Sequence, residues 1–232
     1  MAVVNKKPMN KTVIISILLL CLFSFPKMFG KQKINFSLQG GIDSYNNWVV
    51  TPFFDYLPIP YISIGAGVRF FDEIGNDDFC SGEIGNQLWT IEDKSLFAYH
   101  AAFQPEVKVY SPSIKINEEE ANIFFSIGAG YLLPMNKGGK GRVDYYNKEA
   151  NRVIFDKSEL ILNRKSSHKA YPFLDFTCYL NADRWSLGLG YRISEFDVYG
   201  NARQVYVSNH KVEFPKKNNN SEIYLTILYV IT

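Results

Sequence analysis

Three stretches of the 232-residue chain carry nearly the same word. They are ISIGAGVRF at Ile62 to Phe70, FSIGAGYLL at Phe125 to Leu133, and WSLGLGYRI at Trp185 to Ile193. Closely spaced glycines are the residues from which a phosphate-binding loop is built. A dinucleotide fingerprint needs GxGxxG on a strand-to-helix turn, so that backbone amides and the helix N-terminus hold the phosphate. Here the third glycine is missing. Gly67 is followed by Val-Arg-Phe, Gly130 by Tyr-Leu-Leu and Gly190 by Tyr-Arg-Ile, and no helical periodicity follows any of them. Both observations argue against nucleotide binding. The chain has three cysteines, none with metal-site spacing such as CxxC. Cys21 lies in a segment expected to be removed, which leaves Cys80 and Cys178; their pairing cannot be read from sequence. No cofactor or metal site is expected.

The elements that carry these glycines alternate with period two, so they are strands. Ile62, Ile64, Ala66, Val68 and Phe70 form one face of the first, against Ser63, Gly65, Gly67 and Arg69. In the third, Trp185, Leu187, Leu189, Tyr191 and Ile193 oppose Ser186, Gly188, Gly190 and Arg192. The same rule continues elsewhere. INFSLQG sets Ile34, Phe36 and Leu38 against Asn35, Ser37 and Gln39. Phe97 to Val109 alternates apolar residues with His100, Gln104, Glu106 and Lys108. Leu174, Phe176, Cys178 and Leu180 oppose Asp175, Thr177 and Tyr179. The last strand sets Ile223, Leu225, Ile227, Tyr229 and Ile231 against Tyr224 and Thr226. WVVTPFF, at Trp48 to Phe54, has an ambiguous parity because Pro52 interrupts it.

Eight strands are expected, over 33–42, 47–54, 60–71, 96–110, 122–134, 170–181, 185–199 and 221–231. The links after the second, fourth and sixth are shorter, and 72–95, 135–169 and 200–220 are long. Short turns on one side and long loops on the other mark a transmembrane barrel with an even strand number. The fold expected is therefore all-β: an eight-stranded antiparallel transmembrane up-and-down β-barrel.

Alternation alone does not say which face is outside. A lipocalin-like soluble barrel would turn its apolar face inward around a ligand. The polar parity points the other way, because Ser and Gly suit the crowded interior of an eight-stranded barrel. The lumen would then hold Arg69, His100, Glu106, Lys108, Asp175 and Arg192. Buried charges must be paired, so an internal network is expected, with Arg69 and Arg192 as cations and Glu106 and Asp175 as acceptors. A lumen filled in this way is a plug.

Composition agrees with a folded chain. Residues are 47% hydrophobic and 16% aromatic, and the formal net charge of +2 gives no bias toward nucleic acid. Lys6, Lys7 and Lys11 precede the apolar run TVIISILLLCLFSF, which Pro26 ends. At about 14 residues that run fits a cleavable signal peptide and is short for a membrane helix. Residues 1–30 are read as the signal peptide, with Met1 or Met9 as the start, and 31–232 as the barrel domain.

The signal peptide, the repeated SxGxG strands and the terminal EIYLTILYVIT resemble small eight-stranded outer-membrane β-barrel proteins. The outer membrane protein A and X type and the Bacteroidota-type outer membrane β-barrel domain are the nearest shapes. The resemblance covers about 33–232. It implies an outer-membrane location, contact with outer-membrane lipid and lipopolysaccharide, and insertion by the barrel assembly machinery with periplasmic chaperones. Such barrels usually end in an aromatic residue, whereas this chain ends Val230, Ile231, Thr232. The resemblance implies no single activity, and a structural or adhesive role is the first reading. The alternative it brings is a lipid A acyl-modifying enzyme using His and Ser near the outer rim. His100 is followed by Ala101 and Ala102 where that pattern needs a serine, and Ser166 and Ser167 precede His168 in a basic loop.

The loops are the remaining place for function. Loop 72–95 is acidic, and loops 135–169 and 200–220 are basic. Lys137, Lys140 and Arg142 are candidates for contact with lipopolysaccharide phosphates; otherwise the loops are solvated tips that salt-bridge one another. Within 135–169, GRVDYYN and NRVIFDK can pair as a hairpin above the membrane. The free edge of such a hairpin could add a partner strand.

Overall fold

A computed structural model describes residues 33–74, 80–91, 98–116, 121–135, 140–149, 152–162, 169–182, 184–200, 205–212, 214 and 219–231. The expected signal peptide and His168 lie outside the described residues. Strands follow in the order β1 (Lys33–Asp43), β2 (Asn47–Ile59), β3 (Ile62–Glu73), β4 (Cys80–Ile84), β5 (Gln87–Ile91), β6 (Ala101–Tyr110), β7 (Ile114–Lys115) and β8 (Ala121–Pro134). Then come β9 (Lys140–Glu149), β10 (Arg152–Leu162), β11 (Tyr171–Ala182), β12 (Trp185–Ser194), β13 (Tyr206–Val207), β14 (His210–Lys211) and β15 (Asn220–Ile231).

Eight of these form the wall: β1, β2, β3, β6, β8, β11, β12 and β15. Each pairs antiparallel with the next in chain order, β8 pairs with β11, and β15 returns to β1, so the sheet closes. β7 adds two residues to the lower end of β8. The protein is an all-β, eight-stranded antiparallel transmembrane β-barrel. Its outer face is apolar: β12 alternates exposed and buried along its whole length, with Leu189 58% exposed and Arg192 1%. A wall with bare Leu, Ile and Phe outside and polar groups inside is the arrangement that lipid requires. A lipocalin-like binder needs the opposite parity.

The strand ends carry the informative differences. β2 runs on to Ile59, through Pro52, and this brings Asp55 onto the inner face with Thr51 and Phe53. Proline lacks only its N–H, and the ladder to β3 is interrupted near it and resumes at Phe53↔Gly67. β2 and β3 are joined by a tight turn in which Tyr61 takes a left-handed φ of 77°. β12 stops at Ser194 rather than continuing to 199. Phe196, Val198 and Tyr199 instead turn inward and are buried.

Those residues belong to a cap. Two of the long links, 72–95 and 135–169, fold into a second sheet of order β10-β9-β5-β4, in which Trp89 of β5 opposes Tyr145 of β9, and the third forms the separate pair β13–β14. The hairpin expected within 135–169 is β9–β10. Trp89, Ile91, Val143, Tyr145, Phe196 and Val198 pack into one apolar cluster that reaches down to Val49, Phe71 and Phe173 of the wall. A salt bridge does join the acidic and basic loops, Lys148 to Glu83 at 2.7 Å. The stronger bond between the loops is the shared sheet and core. Burial in this cluster, then the nearby Tyr171 and Asp197, raises the pKa of the Tyr99 phenol and keeps it neutral.

Candidate functional site

The repeated glycines explain how the lumen is filled. Each motif places two glycines on the inner face, opposite a bulky side chain from the neighbouring strand. Gly67 pairs directly with Phe53, Gly130 with Phe173, Gly188 with Tyr179 and Gly190 with Tyr224. A Cβ on Gly67 would stand 2.7 Å from the Phe53 ring, and one on Gly188 would stand 2.8 Å from the Tyr179 ring. A Cβ on Gly190 would overlap the Tyr224 ring at 2.1 Å. Gly128 makes room for a carboxylate, because its Cβ would meet Glu106 Oε1 at 2.0 Å. The wall is thin where its neighbour is thick, which lets a narrow barrel hold aromatic rings inside.

Within this packing lies a charged layer built on three adjacent strands. Asp175 of β11 opposes Arg192 of β12, which opposes Glu222 of β15. The Arg192 Nε and Nη2 donate to Asp175 Oδ2 at 3.1 and 3.0 Å. Nη1 reaches Glu222 Oε2 at 3.3 Å, and Nη2 donates to Gln39 Oε1 of β1 at 2.9 Å. Arg69, from β3 across the barrel, ion-pairs with the same Glu222 oxygen. Tyr224 donates its hydroxyl to Asp175 Oδ2 at 2.7 Å, and Thr177 Oγ1 lies 2.7 Å from that hydroxyl. The Arg192 guanidinium also rests against the Phe173 and Tyr224 rings, about 5 Å from each centroid. All of these groups are buried, and the layer ties β11, β12, β15, β1 and β3 together through the lumen.

Closer to the end of the barrel opposite the cap, Lys108 Nζ stands 3.8 Å from Glu106 Oε2 and 4.2 Å from the centre of the Phe53 ring. Gln104 donates to Glu106 Oε2 at 3.1 Å. Asp55 accepts from Tyr110 and from Asn35, each at 3.3 Å. Nearer the cap, Asp43 accepts from Asn47 and Asn220.

The structure brings together Arg69, Asp175 and Arg192, and places Glu106 and Lys108 in the same lumen. His100 does not join them, which corrects the expectation from parity. Regular pairing ends at Ala101, with the His100 carbonyl accepting one last bond from Phe71 at 3.0 Å, so period two no longer governs residue 100. His100 sits at the mouth, 43% exposed, with Nδ1 3.7 Å from Asp72 Oδ1. Asp175 does accept from Arg192, whereas the acceptor that the two arginines share is Glu222, and Glu106 serves Lys108. Glu222 shares the parity of Tyr224 and Thr226, so the signal was present at the first turn of the last strand. Asp55 was hidden by the early end assigned to the second strand. Lys137 lies outside the described residues, and Lys140 opens β9. Arg142 is already engaged, with Nε 2.9 Å from Asp144 Oδ1 and Nη2 3.0 Å from Ser158 Oγ. Cys178 is a free thiol on the lipid face, and Cys80 opens β4. Among the described residues no group of His, Cys, Asp and Glu could hold a metal ion.

A closed wall, a polar plugged lumen and an apolar outer band define a transmembrane β-barrel. The chain matches no protein-family model and no curated protein. Among the solved structures it is similar to, at low identity, are three barrels. A de novo designed transmembrane β-barrel is 10% identical, over 86% of this chain and 95% of that one, with a TM-score of 0.41. Neisserial surface protein A is 6% identical, over 85% and 96%, with a TM-score of 0.40. Ail, the attachment invasion locus protein of Yersinia pestis, is 8% identical, over 88% and 100%, with a TM-score of 0.32. The fold rests on the closed register of this chain, and these likenesses add no role to it.

One functional consequence is measurable. With the charged layer and the cap in series, planar bilayers containing the refolded protein are expected to show no steady ion conductance. Stable open channels at neutral pH would mean that the lumen is not plugged.

Proposed function

We propose that this chain is an integral outer-membrane barrel, exported by its N-terminal signal peptide (residues 1–30), that acts in surface interaction or adhesion through its cap. It is read as non-enzymatic. The observation that carries the reading is the cap itself. Solvated loop tips need no hydrophobic core, whereas this cap has one and uses it to hold a four-stranded sheet above the wall. On that sheet β10 has no strand on its outer side among the described residues. It presents Val153, Phe155 and Leu160, the last 72% exposed. An open apolar edge is costly to leave uncovered, and it can accept an extended partner by strand addition.

Deleting 141–157 would remove the cap core residues Val143 and Tyr145, so it cannot separate folding from adhesion. The triple substitution Val153→Lys, Phe155→Lys and Leu160→Lys changes only exposed positions and is expected to move stability little. Cells displaying it should lose attachment to host-cell or abiotic surfaces while keeping normal levels of heat-modifiable barrel. Undiminished attachment would remove β10 from the account. Lys137, Lys140 and Arg142 are proposed to contact lipopolysaccharide phosphates. The barrel assembly machinery and periplasmic chaperones are the partners proposed for biogenesis.

A further inference from the structure

The end of the barrel opposite the cap is not filled. A cavity of about 680 Å³ opens there, between the lower ends of β1, β2, β6, β8, β11, β12 and β15. Its lining is apolar and aromatic, with Leu57 and Val230 level with the rim and Tyr110, Phe124 and Leu228 deeper. Phe124 stacks on Tyr179 with centroids 4.7 Å apart, which closes the cavity toward the lumen. The volume falls within the range of small-molecule sites, about 300–1,000 Å³, and the lining has their usual character of apolar walls with few polar groups.

One feature of the lining is not explained by packing. Lys33 and Arg184 both line the cavity and are exposed, and no described acidic residue lines it. Glu118 to Glu120 lie outside the described residues.

We propose that this vestibule binds a single-chain fatty acid. The acyl chain enters the apolar end, and the carboxylate pairs with Lys33 and Arg184 at the rim. The cavity accommodates one chain and is too small for a diacyl lipid. The proposal depends on the barrel fold alone and is independent of the adhesive role of the cap.

The test uses the full-length protein in outer-membrane vesicles and a long-chain fatty acid carrying a diazirine. After irradiation, cross-linked peptides are mapped by mass spectrometry. Labels should concentrate on Phe124, Leu228 and Val230 over the lipid-facing Leu187 and Ile223. Ser113→Trp narrows the entrance from a link outside the wall and should abolish vestibule labelling while leaving the lipid face labelled. Lys33→Gln with Arg184→Gln should lower it about tenfold, as for the loss of a charge-assisted contact. Heat-modifiable migration confirms that each variant is folded. Labelling confined to the lipid face would overturn the proposal, and so would equal vestibule labelling by the matching diazirine alcohol or by a diacyl phospholipid probe.

Discussion

Arg192→Ala is expected to destabilise the barrel by about 3–5 kcal/mol, the cost of leaving a buried charge without its partner. Arg192 is 1% exposed and gives Asp175 its cation. Without it, Asp175 keeps, among the described residues, the hydroxyl donors Tyr224 and Thr177. Glu222 keeps Arg69, so the loss falls mainly on the side of the ring formed by β11 and β12. The same layout predicts that Arg69→Ala costs less, because Glu222 then retains Arg192. Urea unfolding of the refolded proteins in bilayers, followed by tryptophan fluorescence and gel mobility, gives both values. If Arg192→Ala costs under about 1 kcal/mol, the layer is not holding the charges as described. The layer need not be a net source of stability. Buried ion pairs often break even against apolar replacements, and here the charges serve to fill a lumen without opening a water path.

The second large effect concerns the glycine motifs. Gly188→Leu is expected to cost about 1–3 kcal/mol or more by overpacking, because Tyr179 and Thr226 already occupy the space its side chain needs. Tyr179→Ala is expected to cost about 3–5 kcal/mol through the cavity it leaves. The double variant should cost less than the sum, since the new leucine enters the space the ring vacates. The expected coupling is about 0.5–3 kcal/mol, the size seen for residues in contact. Strict additivity would mean that the glycines are not shaped by the rings across from them. The same cycle applied to Gly40 is a control, because a Cβ there meets nothing within 4 Å.

The wall was legible because its signal is local. Side chains alternate along a strand whatever the strand is paired with, so Ser63, Gly67 and Arg69 could be placed on one face of β3 from their spacing alone. The sign of that face followed from chemistry, since Ser and Gly do not suit a water-facing exterior but do suit a narrow lumen. The errors occur where period two stops. His100 and Phe196 lie just past strand ends, and there the cap decides direction. Pro52 obscured the end of β2, and Asp55 was lost with it.

Spacing and residue type by themselves determined the class of fold, the strands of the wall, the hairpin within the second long link, and the charges turned inward. Tertiary structure alone decided which of those charges meet. Arg69 and Glu222 are 153 residues apart and touch because the barrel closes in one particular register. Closure also set each glycine opposite its ring, joined β5 to β9, and left the vestibule beneath Tyr110 and Phe124. These contacts depend on the relative stagger of distant strands, a quantity that no single strand carries in its own residues.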